Sequence, residues 1–255
     1  MPTNLKEKVD ITLISWQRPK MTKLVIQTIL RNTPRSAFRL IVVDNGSDDT
    51  LYLENAHSDG IIDELILNET NLGLEPARNQ ALMKVKGEFF VCADNDCLPQ
   101  KDWLENLTSL MTLHPDYGAI SLRTQVMIGT GNIFDGKEDE DIVEFPHPGG
   151  SFRIMRTEKV RLLGGWRDVP GRGTEERHIC GKIREIGFKT GFAVQVKCLH
   201  LFGPKETDRW GYPKEWKPEE TGHSDIWHPA LEAGDIEEDL LLYAGEEDVV
   251  DYIKQ

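Results

Sequence analysis

Two carboxylates one residue apart, in Asp94-Asn95-Asp96, follow an apolar run that reads as a strand, Glu88 to Ala93. Side chains so spaced suit a hard divalent cation such as Mn²⁺ or Mg²⁺, which prefers oxygen ligands and keeps coordination positions for water and phosphate. Such an ion neutralises a diphosphate leaving group as charge builds on it. The same residues also fit a solvated turn or a helix cap, and the pattern alone does not choose between them. Asp44 closes an earlier apolar run, Arg39 to Asp44, in the same manner.

The segments around these acids alternate short β-branched runs with helical patterns, which predicts βα units on a mostly parallel sheet. Strands are expected at Val9 to Ser15, Arg39 to Asp44, Glu64 to Leu67 and Glu88 to Ala93. Pro19 suits the first turn of a helix carrying Leu24, Ile26, Ile29 and Leu30; Pro76 opens another through Ala77, Ala81, Leu82 and Val85, with Gly87 after it. A helix starting at Pro99 is expected to run through Trp103, Leu107 and Leu110. Ligands of open α/β sheets bind beyond the carboxyl ends of the strands, so Asp44, Asp94 and Asp96 should reach one rim.

The second half is less regular. Ala119 to Ile128 is strand-like, Gly129 to Glu144 is a polar excursion, and Gly149 to Met155 returns as a strand. A helix over Glu175 to Glu185 and a strand over Phe188 to Cys198 follow. The division expected is a domain over 1–202, split into a nucleotide-binding half (1–98) and a catalytic half (99–202). Residues 203–255, rich in Trp and Pro and then in acids, form an appendage that suits a lid or an oligomerisation segment.

Composition narrows the partners. With 43 acidic against 30 basic residues the chain carries a formal charge of −13, which disfavours nucleic acid. No apolar stretch is long enough to span a bilayer, and Met1 to Asp10 lacks the core of a signal peptide, so a cytoplasmic protein is expected. The four cysteines, Cys92, Cys97, Cys180 and Cys198, lack the paired spacing of a zinc site and read as free thiols, three of them in core-like runs.

Four segments in order resemble one family: Ile11 to Pro19, Leu40 to Asp49 (LIVVDNGSDD), Asn71 to Asn79 (NLGLEPARN) and Phe89 to Asp96. They are similar to the family 2 glycosyltransferases, and the likeness covers roughly Val9 to Phe202. The resemblance implies a GT-A fold and an inverting transfer of sugar from a nucleotide-diphosphate donor, UDP by preference, assisted by Mn²⁺ or Mg²⁺. It implies that Asp44 reads the base or ribose with the loop Ser15, Trp16 and Arg18, and that Asn71, Gly73, Arg78, Asp94 and Asn95 line the nucleotide site. Gly149, Gly150 and Ser151 resemble the floor of the sugar pocket. His200 resembles a histidine that completes coordination beside Asp94 and Asp96.

The family's acidic pair at a helix start after a Gly-rich loop is matched by Gly164 to Asp168, then Gly171 to Glu176, followed by Ile179 to Gly187, which implies Glu176 as the catalytic base with Glu175 beside it. Here the second acid is Glu where the family has Asp, and His178 stands at a further position that is commonly acidic. A non-catalytic nucleotide-sugar-binding module and a sugar-phosphate nucleotidyltransferase are the alternatives; Ser15 to Pro19 is poor in the glycines that the latter needs for a phosphate loop. The acceptor, whether glycan, lipid-linked glycan, protein or small molecule, leaves no signature, and a homo-oligomer is compatible with the tail.

Overall fold

The computed structural model describes residues 8–124, 133–167 and 174–201. Its strands are β1 (Val9–Ser15), β2 (Phe38–Asp44), β3 (Glu64–Leu67), β4 (Phe89–Asp94), β5 (Cys97–Pro99), β6 (Tyr117–Thr124), β7 (Ile142–Glu144), β8 (Arg153–Arg156) and β9 (Lys189–His200). Its helices are α1 (Pro19–Asn32), α2 (Leu51–Ser58), α3 (Leu74–Lys84), α4 (Trp103–Leu113), α5 (Thr157–Leu162) and α6 (Thr174–Glu185). All the strands join one sheet in the order β3-β2-β1-β4-β8-β6-β9-β5, with β7 added on β9. The first four strands are parallel, as expected, while β8 runs antiparallel to β4 and β6 and so turns the sheet into a mixed one.

Alternation along the strands builds two cores. Phe38, Leu40 and Val42 of β2, with Ile11 and Leu13 of β1, pack under α1, α2 and α4. Ile41 and Val43, with Phe90 and Cys92 of β4, pack under α3, α5 and α6. Continuing that period-two pattern puts Asp44 on the first face and Asp94 on the second. The two acids therefore leave the same edge of the sheet toward opposite sides of it.

Three local expectations shift. Helix α3 starts at Leu74, not Pro76, because Gly73 takes the positive φ of 94° that turns the chain into it; Pro76 still falls in the first turn, where no N–H is required. Helix α4 starts at Trp103, since Cys97 to Pro99 is buried and pairs with Cys198 to His200 of β9, a partner remote in sequence. Residues 149–152 form a turn, and the strand begins only at Arg153. The polar excursion contributes β7, whose Ile142 and Val143 are buried against β9. The appendage 203–255, with His223 and His228, lies outside the described residues, as do 125–132 and the loop 168–173.

All four cysteines are free and buried. Among the described residues no helix is long and apolar enough to cross a membrane.

Candidate active site

Three loops meet at the carboxyl edge of β1, β2 and β3. The backbone N–H of Gln17 donates to Ser47 Oγ at 2.7 Å, tying the first loop to the second. Asn45 ties the second to the third: its Nδ2 donates to Asn71 Oδ1 at 2.8 Å and Gly73 O at 3.1 Å, and its Oδ1 accepts from the Leu72 N–H at 3.1 Å. Asn71 thus serves the loop, also accepting the Gly73 N–H at 2.9 Å.

Ser15 and Asp44 make their hydrogen bonds within the protein. Both are fully buried. Ser15 Oγ meets Thr22 Oγ1 of α1, and both Asp44 oxygens accept from Ser47, its N–H at 2.7 Å and its hydroxyl at 2.6 Å. An acid two residues before a tight turn satisfies the turn's own donors first. Trp16, in contrast, is 43% exposed on the rim and free to offer a ring face. Asn95 points inward, its Nδ2 donating to Thr22 Oγ1 at 3.1 Å.

Arg18 caps α1 from a left-handed conformation, φ 53°, and its Nη1 reaches Asp96 Oδ2 at 3.3 Å. The other oxygen, Oδ1, lies 3.6 Å from His200 Nε2 at the end of β9. Burial works against both charges, yet each holds the other: Asp96 is pulled well below the usual carboxylate range by His200 and Arg18, and Asp96 raises the His200 imidazole. Asp96, Cys97 and His200 place their ligand atoms within 4.8 Å of one another, a grouping to which Asp94 does not belong. An imidazole nitrogen and a carboxylate oxygen at this spacing fit a divalent ion such as Mn²⁺.

Asp94 faces the other way. Its Oδ1 takes Arg78 Nη2 at 3.2 Å and its Oδ2 takes the Ser151 hydroxyl at 3.4 Å. Burial, followed by the charges of Asp96 and Glu175, raises its pKa against the pull of Arg78. Arg78 is 3% exposed on α3, and the same Nη2 stands 3.3 Å from Glu175 Oε1. Its Nε and Nη1 have no hydrogen-bond partner among the described residues.

Glu175 and Glu176 begin α6, where the helix dipole favours acids. Gly150 brings them to Asp94: its N–H donates to Glu176 Oε1 at 3.1 Å, and a β-carbon added to it would meet Arg78 Nη2 and Glu176 Oε1 at 2.9 Å and Asp94 Oδ2 at 3.5 Å. Only glycine allows that approach. Gly149 fixes the turn through its carbonyl, which accepts the Ser121 hydroxyl at 2.6 Å. Burial, then the neighbouring Glu175, pushes Glu176 from an ordinary 4.5 up to about 8. Glu175, with burial opposing, is drawn down by Arg78 and by the hydrogen bond from Glu176.

Two residues of this site have no role of their own assigned from the sequence, although Trp166 lies in the matched segment Gly164 to Asp168. Trp166 lays its ring 5.8 Å from the Arg78 guanidinium, and Asn79 clamps its backbone on both sides, at 2.7 and 2.9 Å. Arg153, fully buried, donates through Nη1 to Pro148 O at 3.1 Å and so braces the 149–151 turn. A charge inside the apolar run Phe152 to Met155 was the available clue.

Residues 10–167 match the family model for glycosyl transferase family 2, well over half of the chain. The chain belongs to glycosyl transferase family 2. Glycosyltransferase AglE of Haloferax volcanii is 31% identical over 81 residues, 31% of this chain and 27% of that protein. Family 2 membership agrees with the architecture. The mannosyltransferase PcManGT from Pyrobaculum calidifontis, solved with GDP-Man and Mn²⁺, superposes with a TM-score of 0.63 at 22% identity, covering 80% of this chain and 60% of that one. GalNAc-T7, solved with UDP, GalNAc and Mn²⁺, gives 0.65 at 15% identity, over 96% and 56%. S. aureus TarS 1–349 with UDP-GlcNAc gives 0.61 at 16%, over 95% and 68%. The fold is thus the GT-A fold of this family, and the chain spans only part of the first relatives' length.

Proposed function

We propose that this chain transfers a sugar from a nucleotide-diphosphate donor to an acceptor hydroxyl with inversion at the sugar carbon. The observation that carries this reading is Gly150, which sets Asp94 of β4 and Glu176 of α6 against one glycine. A single displacement needs a base opposite the leaving group, and Glu176, raised to about 8, is a carboxylate suited to take a proton near neutral pH.

The remaining side chains divide the work. Trp16 offers a stacking face to the base, while Asp44, Asn45 and Asn71 shape the loops around it. Arg78 pulls Asp94 and Glu175 toward the ionised form and lends positive charge near the diphosphate. Asp94 and Ser151 face the transferred sugar. A divalent cation held by Asp96 and His200 supplies charge neutralisation at the diphosphate. Mn²⁺ beside GDP-Man in PcManGT and beside UDP and GalNAc in GalNAc-T7 supports this assignment without choosing between GDP and UDP carriers. We place the nucleotide-binding half at residues 1–98 and the catalytic half at 99–202.

The deciding experiment is a donor-hydrolysis screen across GDP-, UDP- and dTDP-sugars with Mn²⁺, paired with calorimetry on the nucleoside diphosphates. Metal-dependent binding with slow hydrolysis of one donor is expected, and the product anomer then reads the stereochemistry. Absence of nucleotide binding with and without metal would sink the proposal.

A further inference from the structure

Cys97 follows Asp96 directly and is the register partner of His200 across the β5–β9 ladder. Its thiol donates to Asp96 Oδ1 at 3.6 Å, and that oxygen lies 3.6 Å from His200 Nε2. All three ligand atoms fall within 4.8 Å of one another. Tetrahedral zinc, with bonds of about 2.3 Å to sulfur and about 2.0–2.2 Å to nitrogen and oxygen, spaces adjacent ligand atoms roughly 3.3–3.6 Å apart. Two edges of the cluster, both at Asp96 Oδ1, match that spacing, and the third is within 4.8 Å. Arg18 occupies Asp96 Oδ2, which leaves Oδ1 turned toward the sulfur and the imidazole.

We propose that this cation site also takes thiophilic divalent ions, Zn²⁺ or Co²⁺, with Cys97 Sγ as a protein ligand beside Asp96 and His200 and the fourth position open. The proposal rests on the reading of Asp96 and His200 as cation ligands. When the sulfur–metal bond forms, the S–H bond breaks and its proton passes to solvent; no electrons are exchanged. Hard ions gain little from sulfur and leave the thiol protonated, so Mn²⁺ or Mg²⁺ uses the oxygen and nitrogen donors alone. Zinc then competes with manganese through a donor that manganese does not use.

The test is a Co²⁺ titration of the metal-free full chain, followed by absorption spectroscopy. A sulfur-to-cobalt charge-transfer band in the near ultraviolet, with the intense visible bands of four-coordinate cobalt, is expected, and Zn²⁺ should displace both. Cys97→Ser should abolish the charge-transfer band and weaken Zn²⁺ binding by at least about 10-fold. Mn²⁺ affinity should not change. If the variant does not fold, the spectrum of the unaltered chain still decides. Bound cobalt without a sulfur band, no cobalt binding, or a band that persists in Cys97→Ser overturns the proposal. Mn²⁺-dependent nucleotide binding on the same sample separates the two readings. Intact nucleotide binding without the band removes only the cysteine ligand, whereas a band without nucleotide binding removes only the donor assignment.

Discussion

Glu175 accepts the backbone N–H of Glu176 through Oε2 at 2.6 Å, so the first acid of α6 takes its charge at the doorstep of the second. Arg78 and Arg153 lower both acids, but at Glu176 burial and the charge of Glu175 outweigh them. Adjacent carboxyls pushed in opposite directions divide into a fixed anion and a titrating base.

Glu176→Gln should therefore spare donor binding and lower transfer by roughly 10²- to 10⁴-fold. In the unaltered enzyme kcat/KM should rise with pH through about 8, where Glu176 loses its proton. A profile flat between pH 6 and about 9, measured under subsaturating donor, would remove the base assignment.

Stability should run the other way. A carboxyl raised from 4.5 to about 8 makes the folded state bind more protons than the unfolded state across that window. Stability contributed by the protonated group is complete below the lower value and falls as pH climbs toward the upper one. At pH above about 8 the neutral Glu176→Gln should melt higher than the parent, by roughly 2–4 °C for each kcal/mol relieved. Equal melting curves at high pH would mean that Glu176 ionises there without penalty.

Arg78→Met leaves Glu175 buried and unpaired, which should cost about 3–5 kcal/mol in chemical denaturation. Arg78→Lys keeps the charge but not the reach and plane of the guanidinium, whose Nη2 meets both Asp94 and Glu175, so it should recover stability in part and donor binding poorly. Full recovery by lysine would argue that only net charge matters at this position.

Gly150→Ala inserts a carbon 2.9 Å from both Arg78 Nη2 and Glu176 Oε1. The fold should survive at a cost of about 1–3 kcal/mol while transfer collapses with nucleotide affinity retained. Kinetics alongside nucleoside-diphosphate calorimetry checks this, and an active variant would move the sugar away from this turn.

Asp10 supplies a control at the opposite edge of the sheet. It is fully buried and accepts the N–H groups of Lys86 at 2.6 Å and Gly87 at 2.7 Å, besides Arg39 Nη1 at 2.7 Å. Asp10→Ala should lower stability by about 3–5 kcal/mol and leave activity per folded molecule unchanged.

The parallel strands and their rim were readable because β1 and β2 carry dense β-branched runs and β4 an apolar one, and β2 and β4 end at Asp44 and Asp94. What local pattern does not contain is the partner across the sheet. Cys97 to Pro99 reads as the approach to a helix until β9 arrives to pair with it, and Ile142-Val143 hides in a charged stretch until Phe192 and Ala193 face it. Period-two alternation does imply that Asp44 and Asp94 emerge on opposite faces, yet a turn that consumes both Asp44 oxygens became visible only with Ser47 in place. Arg153 was read only as part of an apolar strand and Cys97 only as a free thiol, while their significance lies in what packs over them.

Asp96 and His200 are 104 positions apart in the sequence and become neighbours only when β9 has zipped against β5 and β6. An unfolded chain holds no such pair, so any ion that they capture adds its binding free energy to the folded state alone. Melting temperature should climb with the logarithm of metal concentration, and chelation should loosen the far edge of the sheet before the parallel half. On the proposed function, a cation held there would rivet the architecture as well as serve the reaction.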